Sequence, residues 1–229
     1  MKFGITQQFP CNYLPDRNEQ LLVCMAPVEQ LPGAYSQLMH AGFRRSGDQL
    51  YRPHCPTCNQ CNSVRIMVNS FSPSKSQKRV LQKNKDLRIH LTYEERDEHY
   101  PLYERYIEAM HSDGSMYPAS YSQYANFIRC EWKKPLFMEA RAKDKTLLAV
   151  AVTDEVEDGL SALYTYFAPE YASRSLGKYM IMQQIARTRD LLLPFLYLGY
   201  QIDDCRKMNY KTAFKPYQRL MNNTWTLFR

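Results

Sequence analysis

The order of secondary structure from residue 135 onward restricts the possible folds more than any other feature of this chain. Three runs with strand composition, at 135–142, 147–152 and 162–167, are separated by short turns of charged residues and glycine. A helix with apolar residues at helical spacing follows over 176–190, and a fourth strand over 195–198. Short turns give antiparallel neighbours, whereas a helix between two strands favours a parallel crossover. The sequence therefore predicts a mixed α/β (α+β) fold in which an antiparallel meander runs into a β-α-β unit.

This element order is also the central order of the GNAT acyltransferases, so we expect a GNAT-like acyltransferase core. The loop that opens the helix reads Arg174-Ser175-Leu176-Gly177-Lys178, and the N–H groups at a helix N-terminus can bind phosphate. In GNAT enzymes this loop holds the pyrophosphate of coenzyme A. The chain lacks a second glycine there, which argues against coenzyme A. An ordinary helix cap by Ser173 or Ser175 is the alternative interpretation.

Three of the seven cysteines fall within seven residues, at Cys55, Cys58 and Cys61. The two overlapping Cys-x-x-Cys spacings are typical of metal sites, and Cys11 is the best candidate for a fourth ligand, with His54 as the alternative. Four thiolates suit zinc or an iron–sulfur cluster, and the ligand types alone do not separate these. Such a closed site is structural, and four buried free cysteines are the competing interpretation.

The net charge of +7 is concentrated between residues 40 and 90, where ten Lys or Arg residues face only Asp48 and Asp86. This segment contains a turn with a capping serine over 72–77, followed by a basic helix. Concentrated positive charge is typical of proteins that bind phosphates, although a solvated basic surface is an equal alternative. Further helices are predicted over 100–110 and 121–132.

The hydropathy pattern gives no sign of a membrane protein. The mean hydropathy is −0.54, and no apolar run approaches the roughly 20 residues that a membrane helix requires. Polar residues follow the N-terminal Met1, where a signal peptide would have an apolar core. We therefore expect a cytoplasmic location and no membrane partner.

Several motifs, taken in order, resemble the arginyl-tRNA–protein transferase family, and specifically its bacterial aspartate/glutamate leucyltransferase branch. The resemblance covers nearly the whole chain. Its motifs are Pro10-Cys11-Asn12-Tyr13-Leu14-Pro15, Gly42-Phe43-Arg44-Arg45-Ser46-Gly47, Tyr51-Arg52-Pro53-His54-Cys55, Cys58, Cys61, Val64-Arg65, Phe71-x-Pro73, Ser76-Gln77-x-Arg79, His111-x-Asp113-Gly114-x-Met116, Ser175-Leu176-Gly177, Tyr197-Leu198-Gly199-Tyr200 and Lys207-Met208-x-Tyr210-Lys211.

The resemblance implies an N-terminal cysteine-rich domain over 1–75 and a C-terminal GNAT-like aminoacyltransferase domain over 76–229. It implies transfer of leucine from leucyl-tRNA to proteins that begin with Asp or Glu, which marks them for degradation in the N-degron pathway. Arginyl transfer from arginyl-tRNA to the same acceptors is the alternative. The aminoacyl ester is already activated, so the reaction needs no cofactor, and any zinc or iron–sulfur cluster would be structural.

The expected chemistry assigns hypothetical roles to particular residues. An acidic acceptor requires a fixed cation, for which Arg52, Arg65, Lys207 and Lys211 are candidates. Candidates for proton transfer are Tyr166, Asp203 and Tyr210. The candidates for tRNA binding are Arg44, Arg45, Lys75, Lys78, Arg79, Lys83, Arg174, Ser175, Gly177 and Lys178.

Two other classes of protein fit parts of the pattern. One is a non-catalytic nucleic-acid-binding regulator with a cysteine site, which the long α/β region disfavours. The other is a coenzyme A-dependent acetyltransferase, which the single glycine disfavours.

Overall fold

A computed structural model describes residues 1–205 and 207–229 of the chain. The strands in it are β1 (Phe3–Ile5), β2 (Phe9–Pro10), β3 (Asn18–Glu19), β4 (Leu21–Cys24), β5 (Arg44–Ser46), β6 (Gln49–Pro53), β7 (Asn62–Met67), β8 (Arg88–Thr92), β9 (Leu136–Arg141), β10 (Leu147–Val156), β11 (Gly159–Phe167), β12 (Phe195–Gln201), β13 (Tyr217–Met221) and β14 (Thr224–Phe228). The α-helices are α1 (Leu31–His40), α2 (Lys75–Lys83), α3 (His99–Met110), α4 (Tyr121–Ile128) and α5 (Leu176–Asp190).

The main body of the protein is an eight-stranded sheet with the order β14-β13-β7-β12-β11-β10-β9-β8. Strands β9, β10 and β11 pair antiparallel in succession, and β11 pairs parallel with β12 through the α5 crossover. The predicted order of three strands, a helix and a strand is therefore confirmed. The α2 helix is confirmed as well, with Ser74 as its N-cap and Gln77 completing a capping box. The predicted helix over 121–132 ends earlier, at Ile128.

A smaller, four-stranded sheet with the order β1-β4-β6-β5 forms the N-terminal part of the fold together with α1. The chain then enters the large sheet, because β7 pairs antiparallel with both β12 and β13. The predicted division near residue 75 assigns β7 to the N-terminal domain, but β7 is a central strand of the large sheet. The chain passes from the small sheet to the large sheet through the cysteine segment between β6 and β7.

Side chains alternate across β12 and connect it to layers on both faces of the sheet. Leu196 and Leu198 pack in one apolar cluster with Ile181 and Ile185 of α5. Tyr197 points the other way and packs with residues of α1 and the small sheet. The large sheet therefore lies between α5 on one face and the N-terminal part of the chain on the other.

Strands β11 and β12 pair over only a short length. Residues 159–161 are in register with residues 195–197, and beyond that point no partners join the two strands. β11 continues its pairing with β10, and β12 continues its pairing with β7 after a register shift between Tyr197 and Gly199. An opening between the two strands results, at the end of the sheet where β12 runs into the segment after Gln201.

Among the helices that the structure describes, none combines the length and the apolar character needed to cross a membrane.

Candidate active site

The opening between β11 and β12 holds the side chain of Arg44, which reaches it from β5. Nη2 of Arg44 donates a hydrogen bond to the carbonyl oxygen of Ala162 on β11, at 2.6 Å. On the β12 side the guanidinium packs against Gly199, where a Cβ atom would lie 3.5 Å from Nε. Gly199 has a φ of +80°, a conformation that side-chain-bearing residues rarely adopt. The two strands thus hold one cation between them.

Lys211 adds a second buried cation next to the first. It lies in the 3₁₀ helix Asn209–Ala213, and its Nζ donates a hydrogen bond to the carbonyl oxygen of Tyr200. Burial, together with repulsion from the Arg44 guanidinium, lowers the pKa of Lys211 to about 7. Nη1 of Arg44 is buried and has no hydrogen-bond partner within the described residues. In that part of the chain neither cation forms an ion pair with a carboxylate.

Tyrosine side chains line the space around the opening. The Tyr200 hydroxyl is hydrogen-bonded to the carbonyl oxygens of Gly42 and Tyr51, at 2.9 and 3.2 Å. The ring of Tyr51 lies 6.5 Å from the ring of Tyr200. Tyr210 is 42% exposed, and desolvation of its hydroxyl raises its pKa. Because burial raises the pKa of all three hydroxyls, they stay protonated at neutral pH. These rings can pack against an apolar side chain or a nucleobase.

The loop after α3 approaches the segment that follows β12. Lys207 Nζ donates hydrogen bonds to both carboxylate oxygens of Asp113, at 2.8 and 2.7 Å. His111 Nε2 lies 3.1 Å from the Tyr106 hydroxyl, and burial lowers the pKa of His111, with a smaller effect from Lys207. Burial also raises the pKa of Tyr106, with a smaller effect from Tyr210. The contacts join the His111-x-Asp113-Gly114 motif to the Lys207-to-Lys211 segment.

The four cysteines predicted as metal ligands lie close to one another. Burial and the neighbouring thiols of Cys55, Cys11 and Cys58 raise the pKa of Cys61 to about 12. Residues 1–205 and 207–229 contain no group of three or more His, Cys, Asp or Glu side chains arranged to hold a metal ion. The thiols are therefore gathered without forming a coordination geometry, and the zinc or iron–sulfur site stays a prediction. Three of them pack against an apolar cluster of Leu14, Ile202 and Cys205.

Comparison with known protein families decides what kind of protein carries this site. Residues 9–79 match the family model described as "Arginine-tRNA-protein transferase, N terminus", and residues 98–221 match "Arginine-tRNA-protein transferase, C terminus". The chain belongs to the arginine-tRNA-protein transferase family. Both matched regions contribute to the opening, since Arg44 lies in the first and Lys211 in the second.

Relatives within the arginine-tRNA-protein transferase family match almost end to end. The aspartate/glutamate leucyltransferase of Pseudoalteromonas atlantica is 49% identical, over 99% of this chain and 97% of the relative. The protein of the same name from Aeromonas hydrophila is 48% identical, over 98% and 94% of the two chains. The one from Shewanella amazonensis is 50% identical, over 97% and 93%.

Solved structures of other proteins are more distant. The structure of L-PGS from Bacillus licheniformis matches with a TM-score of 0.49 and 8% identity, over 87% of this chain and 69% of that one. The C-terminal domain of a lysylphosphatidylglycerol synthetase from Agrobacterium fabrum matches with a TM-score of 0.47 and 11% identity, over 86% and 63%.

In this member of the arginine-tRNA-protein transferase family, the three predicted proton-transfer residues lie in different surroundings. Tyr166 is fully buried in the core with its hydroxyl 3.3 Å from that of Tyr124, so a catalytic role for Tyr166 is wrong because no substrate can reach it. Asp203 accepts two hydrogen bonds from Arg219, at 3.0 and 2.7 Å, and these lower its pKa, which makes it a weak proton acceptor. Tyr210 lines the opening.

The four predicted carboxylate-binding residues are not brought together either. Lys211 lies in the opening and Lys207 near it. Arg65 donates hydrogen bonds to Gln218 and to the Tyr197 hydroxyl, and its Nη1 lies 3.8 Å from the Asp158 carboxylate. Its guanidinium also stacks between the rings of Phe195 and Trp225, at 3.6 and 4.2 Å, so its prediction as a carboxylate reader is wrong.

Arg52 binds the carbonyl oxygen of Ala41 at 3.1 Å and stacks on Phe43. It follows Tyr51 on β6, so it points to the opposite face of the small sheet from the tyrosine that lines the opening.

The predicted tRNA-binding residues divide into exposed and engaged ones. The exposed residues are Lys75, Lys78, Arg79, Lys83 and Lys178. The Arg45 prediction is wrong, because its side chain is fully buried and bound to Asp154. Arg44 is buried as well and faces the opening instead of a duplex surface.

The loop before α5 is tied to the end of α2. Arg174 binds Asn84 Oδ1 at 2.9 Å and also Asp86, while Lys83 Nζ binds the carbonyl oxygen of Ser173 at 2.7 Å. Ser175 is the N-cap residue of α5, but it has a φ of 55° and its side chain makes no capping hydrogen bond. The ordinary serine cap is therefore not what positions this loop. At Gly177 an added Cβ would only touch the Phe167 ring, at 3.6 Å, so sterics do not require glycine there.

The sequence did not assign a role in the opening to Arg44, Tyr106 or His111. The motif around His111 marks a loop between two helices, but its partner Lys207 is distant in the chain. The adjacent arginines 44 and 45 lie on one strand and must point to opposite faces. That alternation was the available signal that only one of them could face a phosphate-rich partner.

Proposed function

We propose that this chain transfers a leucyl group from leucyl-tRNA to the α-amino group of proteins that begin with Asp or Glu, marking them for degradation in the N-degron pathway. The observation that carries the proposal is the cationic opening between β11 and β12, in a chain 48–50% identical to aspartate/glutamate leucyltransferases over nearly its full length. The strand order and the opening support a GNAT-like acyltransferase core. The cytoplasm, which supplies charged tRNA, is the proposed location.

The reaction exchanges an ester bond for an amide bond. The neutral α-amino nitrogen of the acceptor attacks the ester carbonyl carbon of leucyl-tRNA, and a C–N bond forms. The C–O bond to the terminal ribose breaks, and the proton released by the nitrogen ends on the ribose oxygen. An α-amino group has a pKa near 8, so an adequate neutral fraction exists at physiological pH. The enzyme's contribution is to hold both partners in attack geometry and stabilise the oxyanion, and no cofactor is required.

Residues around the opening suit these tasks. Tyr210 is the candidate for relaying the proton, since its hydroxyl stays protonated and lies at the accessible side of the opening. Lys207 and Lys211 are the remaining candidates for binding the acceptor carboxylate. The exposed basic residues of α2 are the candidates for binding tRNA phosphates.

A transfer assay tests the proposal directly. Purified protein is incubated with labelled leucyl-tRNA or arginyl-tRNA and with peptides that begin with Asp, Glu, Lys or Ala. The expected result is transfer of leucine to the Asp and Glu peptides alone. Transfer of arginine instead would overturn the donor assignment. Binding of tRNA without transfer to any peptide would favour the non-catalytic regulator.

The same assay tests the proton-transfer role of Tyr210. Tyr210→Phe should lower kcat about 10²-fold or more, with little change in the KM of either substrate. Tyr93→Phe is the matched control, because Tyr93 is also exposed and hydrogen-bonds Glu155 away from the opening. Equal activity of the two variants would remove Tyr210 from the chemistry.

A further inference from the structure

Arg44 and Lys211 form an unusual pair, because the fold buries two basic side chains and the described residues pair neither with a carboxylate. Arg44 is 6% exposed and Lys211 is 8% exposed. The two side chains contact adjacent residues of β12. Arg44 packs against Gly199, and Lys211 donates a hydrogen bond to the carbonyl oxygen of Tyr200. Within the described residues, the ion pairs of the protein include neither side chain. Buried charges are normally paired, because desolvating a lone ion costs several kcal/mol. The described residues supply no anion to the pair, and one from outside the chain would complete it.

Arg44 is held so that part of its guanidinium is free for such an anion. Nη2 is used by the carbonyl oxygen of Ala162, at 2.6 Å. Nη1 is buried and has no hydrogen-bond partner in the described part of the protein. An arginine carries five N–H donors in a rigid plane that matches a carboxylate in geometry. The free Nη1 donors and the nearby ammonium of Lys211 thus present hydrogen bonds and charge to one small anion.

The depth of the two cations indicates which anion fits. A phosphodiester of tRNA is flanked by ribose on both sides, so it suits exposed basic side chains such as those of α2. A carboxylate at the end of an Asp or Glu side chain is small and terminal, so it can enter the gap between two strands. Under the proposed function the opening is also the proposed site of transfer.

We propose that Arg44, together with Lys211, binds the side-chain carboxylate of the acceptor's N-terminal Asp or Glu and so determines acceptor specificity. This inference rests on the proposed function. It assigns Arg44 to binding of the acceptor protein, in place of the predicted binding of tRNA. Asn and Gln are excluded at the N-terminus because a neutral amide leaves the two buried cations unpaired and adds an N–H donor against them.

Steady-state kinetics of Arg44 variants test the assignment. In Arg44→Gln, the KM of an Asp peptide should rise about tenfold to hundredfold, the usual loss for a charged hydrogen bond. The KM of leucyl-tRNA should stay within about twofold of the wild type. Arg44→Lys keeps the charge, so its KM for the Asp peptide should lie between those of the wild type and Arg44→Gln. Arg105→Gln makes the same change in an exposed arginine of α3 and should leave both KM values unaltered.

A binding measurement without tRNA keeps the test valid if Arg44→Gln fails to fold. Asp-Ala-amide should raise the Tm of the wild type by about 3 °C at ten times its dissociation constant, whereas Asn-Ala-amide should not. Arg44→Lys should lose part of this stabilisation, and Lys211→Met more of it.

The outcomes separate the inference from the proposed function. If the wild type transfers leucine to Asp peptides but the Arg44 variants alter only the KM of leucyl-tRNA, Arg44 binds RNA phosphate and the inference is wrong. Equal Tm shifts with Asp-Ala-amide and Asn-Ala-amide would also overturn it. If the wild type transfers nothing although Asp-Ala-amide stabilises it through Arg44, the site stands and the proposed reaction fails.

Discussion

Arg45 and Asp154 face each other through two hydrogen bonds, at 2.7 and 2.8 Å, and neither side chain is exposed to solvent. The Tyr35 hydroxyl donates a third hydrogen bond to Asp154, at 2.7 Å. Arg45 lies on β5 of the small sheet and Asp154 on β10 of the large one. This ion pair therefore fastens the two sheets to each other at a point that water does not reach.

Asp154→Ala should strongly destabilise the protein, because it leaves the Arg45 guanidinium buried without a partner. We expect a loss of about 3–5 kcal/mol in the free energy of unfolding, measured by urea denaturation. Glu170→Ala is the matched control, since Glu170 pairs with Arg105 where both side chains are about half exposed, and it should cost less than about 1 kcal/mol. Similar losses in the two variants would contradict the assignment.

Two glycine substitutions should change stability in opposite directions. At Gly159, which begins the parallel pairing of β11 with β12, a Cβ would lie 2.1 Å from the carbonyl oxygen of Phe195. Gly159→Ala should therefore cost at least about 2 kcal/mol. At Gly33, in α1, a Cβ would meet no heavy atom within 4 Å, and Gly33→Ala should stabilise the helix by up to about 1 kcal/mol. Thermal unfolding of both variants checks the prediction, which a stable Gly159→Ala protein would refute.

The buried pair of Glu139 and His99 should make the protein lose stability in acid. Burial opposes the Glu139 carboxylate, but hydrogen bonds from Arg141 and His99 outweigh it and keep its pKa below the usual value. Burial lowers the pKa of His99 in spite of the carboxylate. Both groups therefore bind fewer protons in the folded chain than in the unfolded one. The free energy of unfolding should fall as the pH drops below about 6.5, and further below about 4.3.

Glu139→Gln isolates the carboxylate's share of this effect. The variant should be less stable than the wild type at pH 7, and its stability should change less between about pH 5 and pH 3. Urea denaturation across this range provides the measurement, with Asp97→Asn as an exposed control. If the free energy of unfolding of Glu139→Gln fell with pH as in the wild type, other carboxylates would be responsible for the loss of stability in acid.

The basic face of α2 should account for part of the salt dependence of tRNA binding. Replacing Lys75, Lys78 and Arg79 with Ala should flatten the slope of log affinity against log salt by roughly 0.7–0.9 for each phosphate that the variant no longer neutralises. Lys83 is left in place because its ammonium binds the Ser173 carbonyl. A triple variant of Lys134, Lys145 and Lys215, which are also exposed, removes the same charge elsewhere. Equal flattening in both variants would indicate a general charge effect.

The cysteine cluster gives a prediction about metal content. Elemental analysis and the absorption spectrum of anaerobically purified protein should reveal either zinc or an iron–sulfur cluster. Cys61→Ala should abolish it, because Cys61 is the thiol around which Cys11, Cys55 and Cys58 gather. Cys130→Ala is the control, since Cys130 lies near Arg45 and outside the cluster. Metal-free wild-type protein would leave these thiols with a packing role.

The parts of the fold that sequence predicts well are those whose partners are close in the chain. The meander from β9 to β11 is connected by short turns, and α5 has regular apolar spacing, so local patterns were sufficient. The position of β7 was not predictable in this way. Its partners β12 and β13 are distant in the chain, and the sequence of residues 62–67 does not identify them. The predicted metal ligands do lie together, but spacing cannot tell whether four thiols adopt a coordination geometry.

Long-range contacts also explain which site predictions failed. Arg65 was a candidate because a guanidinium can bind a carboxylate, but Phe195 and Trp225 enclose it from two other strands. Arg45 looks like half of a basic pair, but Asp154 neutralises it from the opposite sheet. Lys211 does lie at the opening, and its role in binding the acceptor carboxylate stays a prediction. Whether a charged side chain is available to a substrate therefore depends on residues that are distant in the chain.

The position of β7 has a consequence for how the protein is made. Strand β7 ends at residue 67, whereas the two strands that flank it in the sheet begin at residues 195 and 217 and are therefore synthesised much later. Until then the edges of β7 have no partners and present a surface for misassociation. The centre of the sheet therefore cannot form until β12 and β13 have been synthesised. Dividing the chain between its two family-matched regions would yield one piece that lacks a central strand and another that carries it unpaired.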